Sequence, residues 1–228
     1  MRNGKHRSRR PRLIELTGPA GVGKSTLTIS LLQRLEAAPG TIWGQPAASL
    51  LGNGLGMLPT IAGLCLRARV PLWDEARHIV RLRTLRRALA ASADPADLLI
   101  FDEGPIFALA WLRGFGHETF RSESSAKWWR TVLLEWAAMM DAVVVLDAPD
   151  SLLARRIRTR PAGHEVKELL DPEISLWMAR FRVALDWVLA EMTRLGGPEV
   201  LRLSTAEQPS ERVVEQLLEG LNGRVHAR

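Results

Sequence analysis

The segment Leu13–Ser25 has the sequence LIELTGPAGVGKS and decides the fold of this 228-residue chain. Its second part, Gly18 to Ser25, fits the pattern G-x-x-x-x-G-K-[ST] at every fixed position. The residues before it predict a short buried strand over Leu13–Thr17, and leucines at helical spacing after it predict a helix from Lys24 to about Ala37. A strand, a glycine-rich turn and a helix in this order are the context in which such a turn binds phosphate.

A turn of this composition lets backbone N–H groups point inward around phosphate oxygens, and the following helix presents its positive end to the same anion. Lys24 is predicted to bridge the terminal phosphates, and the hydroxyl of Ser25 to bind Mg²⁺. The alternative, a chance glycine turn with a surface lysine, does not account for a match at every fixed position. The sequence therefore predicts an ATP·Mg²⁺ site formed by Gly18, Pro19, Ala20, Gly21, Val22, Gly23, Lys24, Ser25 and Thr26.

Two consecutive acids follow a second short apolar run, Leu98–Phe101, which is predicted to be a strand. Asp102 is placed to hold Mg²⁺, directly or through water. Glu103 is placed to polarise whatever attacks the terminal phosphoryl group, either water or a hydroxyl. The alternative for both acids is a structural role, capping the next turn or pairing with arginines.

Strands and helices alternate along the rest of the chain, which predicts a parallel sheet covered by helices on both faces. Residues 44 to 60 contain four glycines and are predicted to be loop-rich. Ligands are expected at the carboxyl ends of the strands, where Thr17 and Asp102 lie. The other predicted strands are 41–43, 142–146 and 200–203, and the other predicted helices are 73–91, 127–140, 150–158, 172–195 and 210–221.

Four arginines crowd the segment after the strand at 142–146, and they suggest a lid over about residues 155–170. On a helix, Arg156 and Arg160 share one face, and Arg155 and Arg158 share another. One pair can therefore face a nucleotide, where it would stabilise charge on a transferred phosphoryl group and help to exclude water. The alternative is an ordinary arginine-rich surface helix.

The charge of +6 comes from the first twelve residues, which carry six cations and no acid, whereas the remaining 25 basic residues balance 25 acids. Residues 1–12 are thus predicted to be a solvated, disordered tail that could meet a polyanion, and residues 13–228 to be one domain. Nucleic acid is not expected to bind elsewhere on the chain.

The apolar runs are judged too short to span a bilayer, which predicts no membrane contact. The missing apolar leader favours a cytoplasmic location. The single cysteine, Cys65, is expected to be a small buried hydrophobe, and the scattered histidines argue against zinc.

The order of these segments resembles the thymidylate kinase and deoxynucleoside kinase group. The resemblance rests on the phosphate loop, on Phe101-Asp102-Glu103, and on Asp147-Ala148-Pro149 followed by the arginines at 155–160, and it covers residues 13 to about 205. It implies the three-layer P-loop kinase fold with a five-stranded parallel sheet, ATP·Mg²⁺ as phosphoryl donor, and a lid in which Arg156 and Arg160 contact the phosphates. Lys24, Asp102, Glu103, Arg156 and Arg160 are then the candidate catalytic residues.

The sequence departs from that group at two places. Glu103 stands where the group usually has an arginine that contacts the acceptor, and no clear acid follows the second predicted strand, where deoxynucleoside kinases carry a base. An anion at position 103 would repel an acceptor that already carries phosphate and would suit a neutral hydroxyl. We therefore expect a nucleoside or another hydroxyl-bearing small molecule as acceptor.

Three functions remain open at this stage. The first is transfer of the ATP γ-phosphoryl group to a hydroxyl of a small molecule, the second is ATP hydrolysis that drives a switch, and the third is nucleotide-dependent binding through the basic tail. A homodimer is compatible with each of them. Candidate acceptor-pocket residues, chosen from position alone, are Trp73, Asp74, Arg77, Phe107, Trp111 and Trp128.

Overall fold

The computed structural model describes residues 10–91, 98–160, 166–206 and 209–225, with side chains as far as residue 220. Five parallel strands form one sheet in the order β2-β3-β1-β4-β5. The strands are β1 (Arg12–Thr17), β2 (Ala38–Gly40), β3 (Leu98–Asp102), β4 (Ala142–Asp147) and β5 (Glu199–Ser204). The helices are α1 (Lys24–Arg34), α2 (Ala47–Ala68), α3 (Trp73–Ala91), α4 (Pro105–Gly114), α5 (Ala126–Ala137), α6 (Asp150–Thr159), α7 (Asp171–Arg194) and α8 (Ser210–Val225), with 3-10 turns at Glu118–Arg121 and Glu123–Ser125.

The predicted parallel sheet with helices on both faces is confirmed, and the strand sequences explain it. Successive side chains of a strand point to opposite faces. In β1, Leu13 packs into the core under α3, α4, α5 and α7, whereas Ile14 and Leu16 pack into the core under α1, α6 and α8. In β4, Val143 and Val145 join the first core, and Val144 and Leu146 join the second. A strand that is buried on both faces has no polar side, which is why these runs are continuously apolar.

The second strand was predicted in the wrong place. It occupies Ala38–Gly40 rather than Thr41–Trp43, because α1 ends at Arg34 and the backbone is already extended at Leu35 (φ −119°, ψ 145°). Pro39 is tolerated because β2 is an edge strand that pairs only with β3. Gly40 is required here, since a Cβ atom would lie 2.6 Å from the ring of Phe101. Pro39 and Gly40, which the sequence predicts to end the first helix, therefore belong to the second strand.

The predicted loop-rich region at 44–60 is also wrong, because most of it lies in the 22-residue helix α2. The helix contains Pro59 and several glycines but keeps a buried face at Asn53, Met57 and Leu64. Arg87 of α3 donates a 2.6 Å hydrogen bond to Oδ1 of Asn53 and ties the two helices together. Contacts of this kind outweigh the poor helix propensity of glycine.

Helix α2 overturns the reason given for the membrane prediction, which was that every apolar run is too short to span a bilayer. It is the one helix among the described residues that is long and apolar enough to cross a bilayer by length and composition. In its most apolar window, with a mean hydropathy of 1.4, only 17% of the residues are buried. Core helices of soluble proteins share this length and composition, and the absence of membrane contact stays a prediction.

The remaining predicted helices and strands are present with ends that differ by a few residues. Arg12 is the first residue of β1 rather than the last residue of a tail, and Arg10 forms an ion pair of 3.0 Å with Asp141. Residues 1–9 of the predicted tail, and residues 161–165 of the predicted lid, lie outside the described residues.

Candidate active site

The phosphate loop joins β1 to α1 and is held open by three glycines in the positive-φ region: Gly18 (φ 148°), Gly21 (φ 78°) and Gly23 (φ 96°). At Gly18 a Cβ atom would lie 2.1 Å from the carbonyl oxygen of Leu146, so the loop packs directly on the end of β4. Gly23 is the N-cap of α1 and offers no side-chain acceptor to the first N–H groups of the helix. These N–H groups therefore remain available to an anion.

Lys24 crosses the loop that contains it. Its Nζ donates hydrogen bonds to the carbonyl oxygens of Gly18 (2.9 Å) and Pro19 (3.1 Å). Burial lowers the pKa of Lys24, while the nearby carboxylates of Asp102 and Glu103 act in the opposite direction. The ammonium group is thus held at the mouth of the loop by neutral acceptors that a phosphate oxygen could replace.

Asp102 ends β3 beside the loop, and its Oδ1 atom is buried with no hydrogen-bond partner among the described residues. A buried carboxylate oxygen without a donor is an open ligand position for a hard cation. Ser25, the first-turn hydroxyl of α1, lies on the cavity that the loop borders. Clusters of three or more His, Cys, Asp or Glu side chains that could hold a metal are absent from the described part of the chain.

Glu103 has left-handed backbone geometry (φ 56°), which is uncommon for a residue other than glycine. Its Oε2 accepts a 2.7 Å hydrogen bond from Nε1 of Trp43, and its carbonyl oxygen accepts a 3.3 Å bond from the N–H of Ile42. The two acids therefore diverge: both lie near Lys24, but Glu103 is fixed by the segment after β2, whereas Oδ1 of Asp102 has no hydrogen-bond partner among the described residues. Neither role foreseen as the structural alternative, a turn cap or an arginine pair, describes Glu103.

The arginines at 155–160 contact different parts of the structure, and Arg160 lies just after the end of α6 with extended backbone (φ −67°, ψ 132°). Arg156 and Arg160 both line the cavity at the phosphate loop. Arg156 donates to Oγ1 (3.1 Å) and to the carbonyl oxygen (2.9 Å) of Thr205, and the Thr205 hydroxyl donates to the carbonyl oxygen of Val22 (3.1 Å). Arg158 instead forms an ion pair with Asp171 of α7. The phosphate loop, α6 and the end of β5 are thereby joined, although lid closure itself stays a prediction.

A single cavity of about 610 Å³ runs from the phosphate loop into a chamber with aromatic walls. Of the residues predicted to line an acceptor pocket, Asp74, Arg77, Phe107 and Trp111 do so. Trp73 does not: it is 76% exposed and lies in an apolar groove between α2 and α3. Trp128 does not either, since it lines a different cavity.

The aromatic walls come from four parts of the chain: the segment after β2, α3, α4 and α7. Only the aromatic residues of α4 were predicted from the sequence. Trp43 follows β2, His78 lies on α3, and Trp177 and Phe181 are one turn apart on α7. The rings of His78 and Trp111 stack with centroids 4.2 Å apart at 7°, and Trp43 meets His78 edge-on at 5.4 Å. The pair at i and i+4 on α7 is a pattern that could have been noticed, but its orientation toward the cavity was not predictable from spacing.

No protein-family model matches this chain, and no curated protein matches it. Solved structures do. The thymidylate kinase from Candida albicans superposes with a TM-score of 0.62 at 15% identity, over 96% of this chain and 94% of that one. The deoxyadenosine kinase from M. mycoides with bound dATP gives 0.58 at 14% identity, over 92% and 99%. A shikimate kinase from Bacteroides thetaiotaomicron gives 0.50 at 16% identity, over 92% and 98%.

The chain has the P-loop kinase fold. Its strand order β2-β3-β1-β4-β5 and the all-parallel sheet are shared with these structures, as the resemblance in sequence implied. At identities of 14 to 16%, this similarity establishes the fold and not the activity.

Within this P-loop kinase fold, Glu15 is a buried acid that was predicted only as part of a strand. It lies in the centre of β1, is 0% exposed, and accepts hydrogen bonds from the N–H groups of Gly104 (3.2 Å), Ile106 (2.8 Å) and Phe107 (2.7 Å). Burial raises the pKa of Glu15 to about 8, against the effect of these three hydrogen bonds. Because the three donors start α4, Glu15 positions the turn that contains Glu103. The signal for this role in the sequence was a charged residue, Glu15, in the middle of the buried strand LIELT.

A second missed residue, Arg182 of α7, positions the start of α6. Its guanidinium contacts both carboxylate oxygens of Asp147 (2.9 to 3.1 Å) and donates to Oδ1 of Asp150 (2.7 Å). Asp147 ends β4 and Asp150 begins α6. The arginine-bearing helix is thus tied to α7, which also carries part of the aromatic wall.

Proposed function

We propose that the protein is an ATP·Mg²⁺-dependent phosphotransferase that moves the γ-phosphoryl group of ATP to a hydroxyl of a small molecule, a nucleoside or nucleotide-like acceptor. One observation carries the proposal: the cavity at the phosphate loop continues into the aromatic chamber, so donor and acceptor have adjoining places in one space of about 610 Å³. A site that only hydrolysed ATP would need room for water and no such chamber.

The donor half of the reaction is assigned to the loop. Backbone N–H groups from Ala20 to Thr26 would surround the β- and γ-phosphates, and Lys24 would exchange its two carbonyl acceptors for phosphate oxygens. Ser25 and Asp102 would hold Mg²⁺, which when bound neutralises phosphate charge and orients the terminal group. Arg156 and Arg160 face the same space and stabilise charge on the transferred group.

The acceptor half is assigned to Glu103 and the aromatic walls. The hydroxyl oxygen attacks the γ-phosphorus as the bond to the ADP oxygen breaks, and the hydroxyl proton passes to a carboxylate, Glu103 or Asp102. Trp43 supports Glu103 in this role because its indole N–H fixes the carboxylate at 2.7 Å. Trp111, His78 and the pair on α7 offer flat surfaces on which a planar base or ring can stack.

A hydrolytic ATPase is the second candidate, supported by the Asp102-Glu103 pair at the end of β3. In that case Glu103 would orient water. ADP release separates the two candidates when it is measured with and without nucleosides, nucleotides, sugars and aminoglycoside-like alcohols. Release that depends on an added acceptor, and that Lys24→Ala abolishes, supports transfer. Release at full rate without any acceptor would contradict it, and robust turnover of dTMP with no nucleoside or alcohol would contradict the choice of a neutral acceptor.

A cytoplasmic location, a homodimer and contact of the basic tail with a polyanion are further predictions. Removal of residues 1–9, which lie before Arg10 and its ion pair with Asp141, should leave phosphoryl transfer unchanged. Loss of transfer on this deletion would place the tail in the active site.

A further inference from the structure

A second cavity, of about 410 Å³, lies between α2, α3 and α5. It shares no lining residue with the active-site cavity among the residues that the structure describes. The first turns of α3 supply Asp74, Arg77 and His78 to the active site. Further along the same helix, Ile79, Leu82, Arg83 and Arg86 line this second space. Its volume lies within the range of small-molecule sites in proteins.

The charged lining of this cavity is mostly cationic, and the hydroxyls of Thr60, Ser124 and Thr131 complete its polar surface. Arg67, Arg83, Arg86 and Lys127 border it, and Glu135 is the one acid among the described lining residues. Glu135 already pairs with Arg86 at 3.2 Å. The cavity therefore holds a positive excess that no side chain lining it neutralises.

In addition, the guanidinium groups of Arg83 and Arg86 have N–H groups without good hydrogen-bond acceptors. Nη1 of Arg83 donates to the thioether sulfur of Met57 at 2.9 Å, a weak acceptor. Nε of Arg83 and Nε of Arg86 are buried and have no hydrogen-bond partner among the described residues. Buried N–H donors without acceptors are rare in folded proteins. The side chain of Arg86 as a whole is 40% exposed, so the accessible part of its guanidinium is open to an anion with two oxygens.

The remaining wall is apolar, with Leu64, Leu82, Val132 and the rings of Trp128 and Trp136. An inorganic anion would leave this surface uncovered, and a neutral hydrophobe would leave the guanidinium groups unsatisfied. We propose that the cavity binds an amphipathic organic anion, with a flat or aliphatic body against the tryptophans and one carboxylate, sulfonate or phosphate group on Arg83 and Arg86. This site is independent of the phosphoryl-transfer proposal.

Two fluorescent probes that differ only in charge test the site in the full-length protein. 1-Anilinonaphthalene-8-sulfonate carries the anion, and N-phenyl-1-naphthylamine has the same rings without it. We expect the sulfonate to bind at one site, and its affinity to fall about tenfold in Arg83→Gln, as expected for the loss of a charge-assisted hydrogen bond. The neutral probe should bind Arg83→Gln and the unchanged protein alike.

Control variants show which site on the protein the sulfonate probe occupies. Arg130→Gln, on the exposed face of α5 outside the cavity, should bind the sulfonate normally. Leu55→Ser in the apolar groove and Arg160→Gln in the active site should also leave it unchanged. If Arg83→Gln fails to fold, as judged by its thermal transition, Arg86→Gln replaces it with the same expectation. Sulfonate binding that is lost in Leu55→Ser or Arg160→Gln, or that is unchanged in the cavity variants, would overturn the proposal.

Discussion

The indole N–H of Trp43 donates a 2.7 Å hydrogen bond to Oε2 of Glu103, so a residue that follows the edge strand β2 holds the acid that follows β3. Trp43 in turn meets His78 edge-on and lies under the guanidinium of Arg81, 4.7 Å from the ring centroid. The acid proposed to take the acceptor proton is therefore positioned by the same aromatic surface that is proposed to hold the acceptor.

This contact predicts the behaviour of Trp43→Phe. The phenyl ring keeps a flat surface beside His78 but cannot donate to Glu103, so kcat with the acceptor found in the screen should fall about tenfold, as is typical when a hydrogen bond to a charged group is lost. Steady-state kinetics measures the change, with Trp73→Phe as a control because Trp73 is exposed and outside the cavity. A raised KM with an unchanged kcat would assign Trp43 to acceptor binding alone.

Glu15 predicts an unusual dependence of stability on pH. Burial raises the pKa of Glu15 from 4.5 to about 8, so between these values the folded chain binds a proton that the unfolded chain has released. The contribution of Glu15 to the free energy of unfolding should therefore fall as pH rises across this window, by up to about 5 kcal/mol at about 1.4 kcal/mol per unit of pKa. Urea unfolding of the unchanged protein and of Glu15→Gln, from pH 5 to 9, measures the difference.

The exposed Glu36→Gln is the matched control, and its stability should follow that of the unchanged protein at every pH. A constant difference between Glu15→Gln and the unchanged protein from pH 5 to 9 would show that Glu15 has the same charge in the folded and unfolded chains.

Lys24 predicts proton uptake on nucleotide binding. Burial lowers its pKa in the free protein, and phosphate oxygens at its Nζ would raise it again. ATP·Mg²⁺ should therefore bind more weakly as pH rises through the lowered pKa of Lys24, and binding there should take up protons. Titration calorimetry at alkaline pH, in two buffers with different protonation enthalpies, measures this uptake. Lys24→Arg should show none, since arginine stays charged, and equal enthalpies for the unchanged protein in both buffers would contradict the assignment.

The loop glycines predict two different costs of adding a methyl group. In Gly18→Ala the Cβ atom would lie 2.1 Å from the carbonyl oxygen of Leu146, a backbone atom that cannot move without shifting β4. In Gly23→Ala nothing lies within 4 Å, and only the positive φ of 96° opposes the substitution. We expect a loss of about 1 to 2 kcal/mol for Gly23→Ala and at least about 3 kcal/mol for Gly18→Ala, measured by urea unfolding. Equal losses would mean that backbone strain alone, and not the contact with β4, requires Gly18.

The elements that sequence predicts well are those whose signals are local. Ala142–Asp147 is continuously apolar, and α7 repeats its apolar residues at helical spacing, so both were predicted within a residue or two. The second strand and α2 were predicted wrongly because Pro39, Gly40 and the glycines of α2 are breakers when considered alone. Their conformation is set by contacts with Phe101 and Arg87, which lie 61 and 34 residues away in the chain from Gly40 and Asn53.

The sequence by itself determined the phosphate loop, because eight adjacent residues carry the conformation and the chemistry together. It also indicated the acid after β3, which depends only on where the strand ends, and it predicted that Arg156 and Arg160 lie together, although Arg160 follows the end of α6. Only the tertiary structure decided the rest of the site: Glu15 beneath α4, Trp43 on Glu103, and the chamber between α3, α4 and α7. These contacts join residues far apart in the chain, and no local pattern records which distant side chain a folded backbone brings to a given atom.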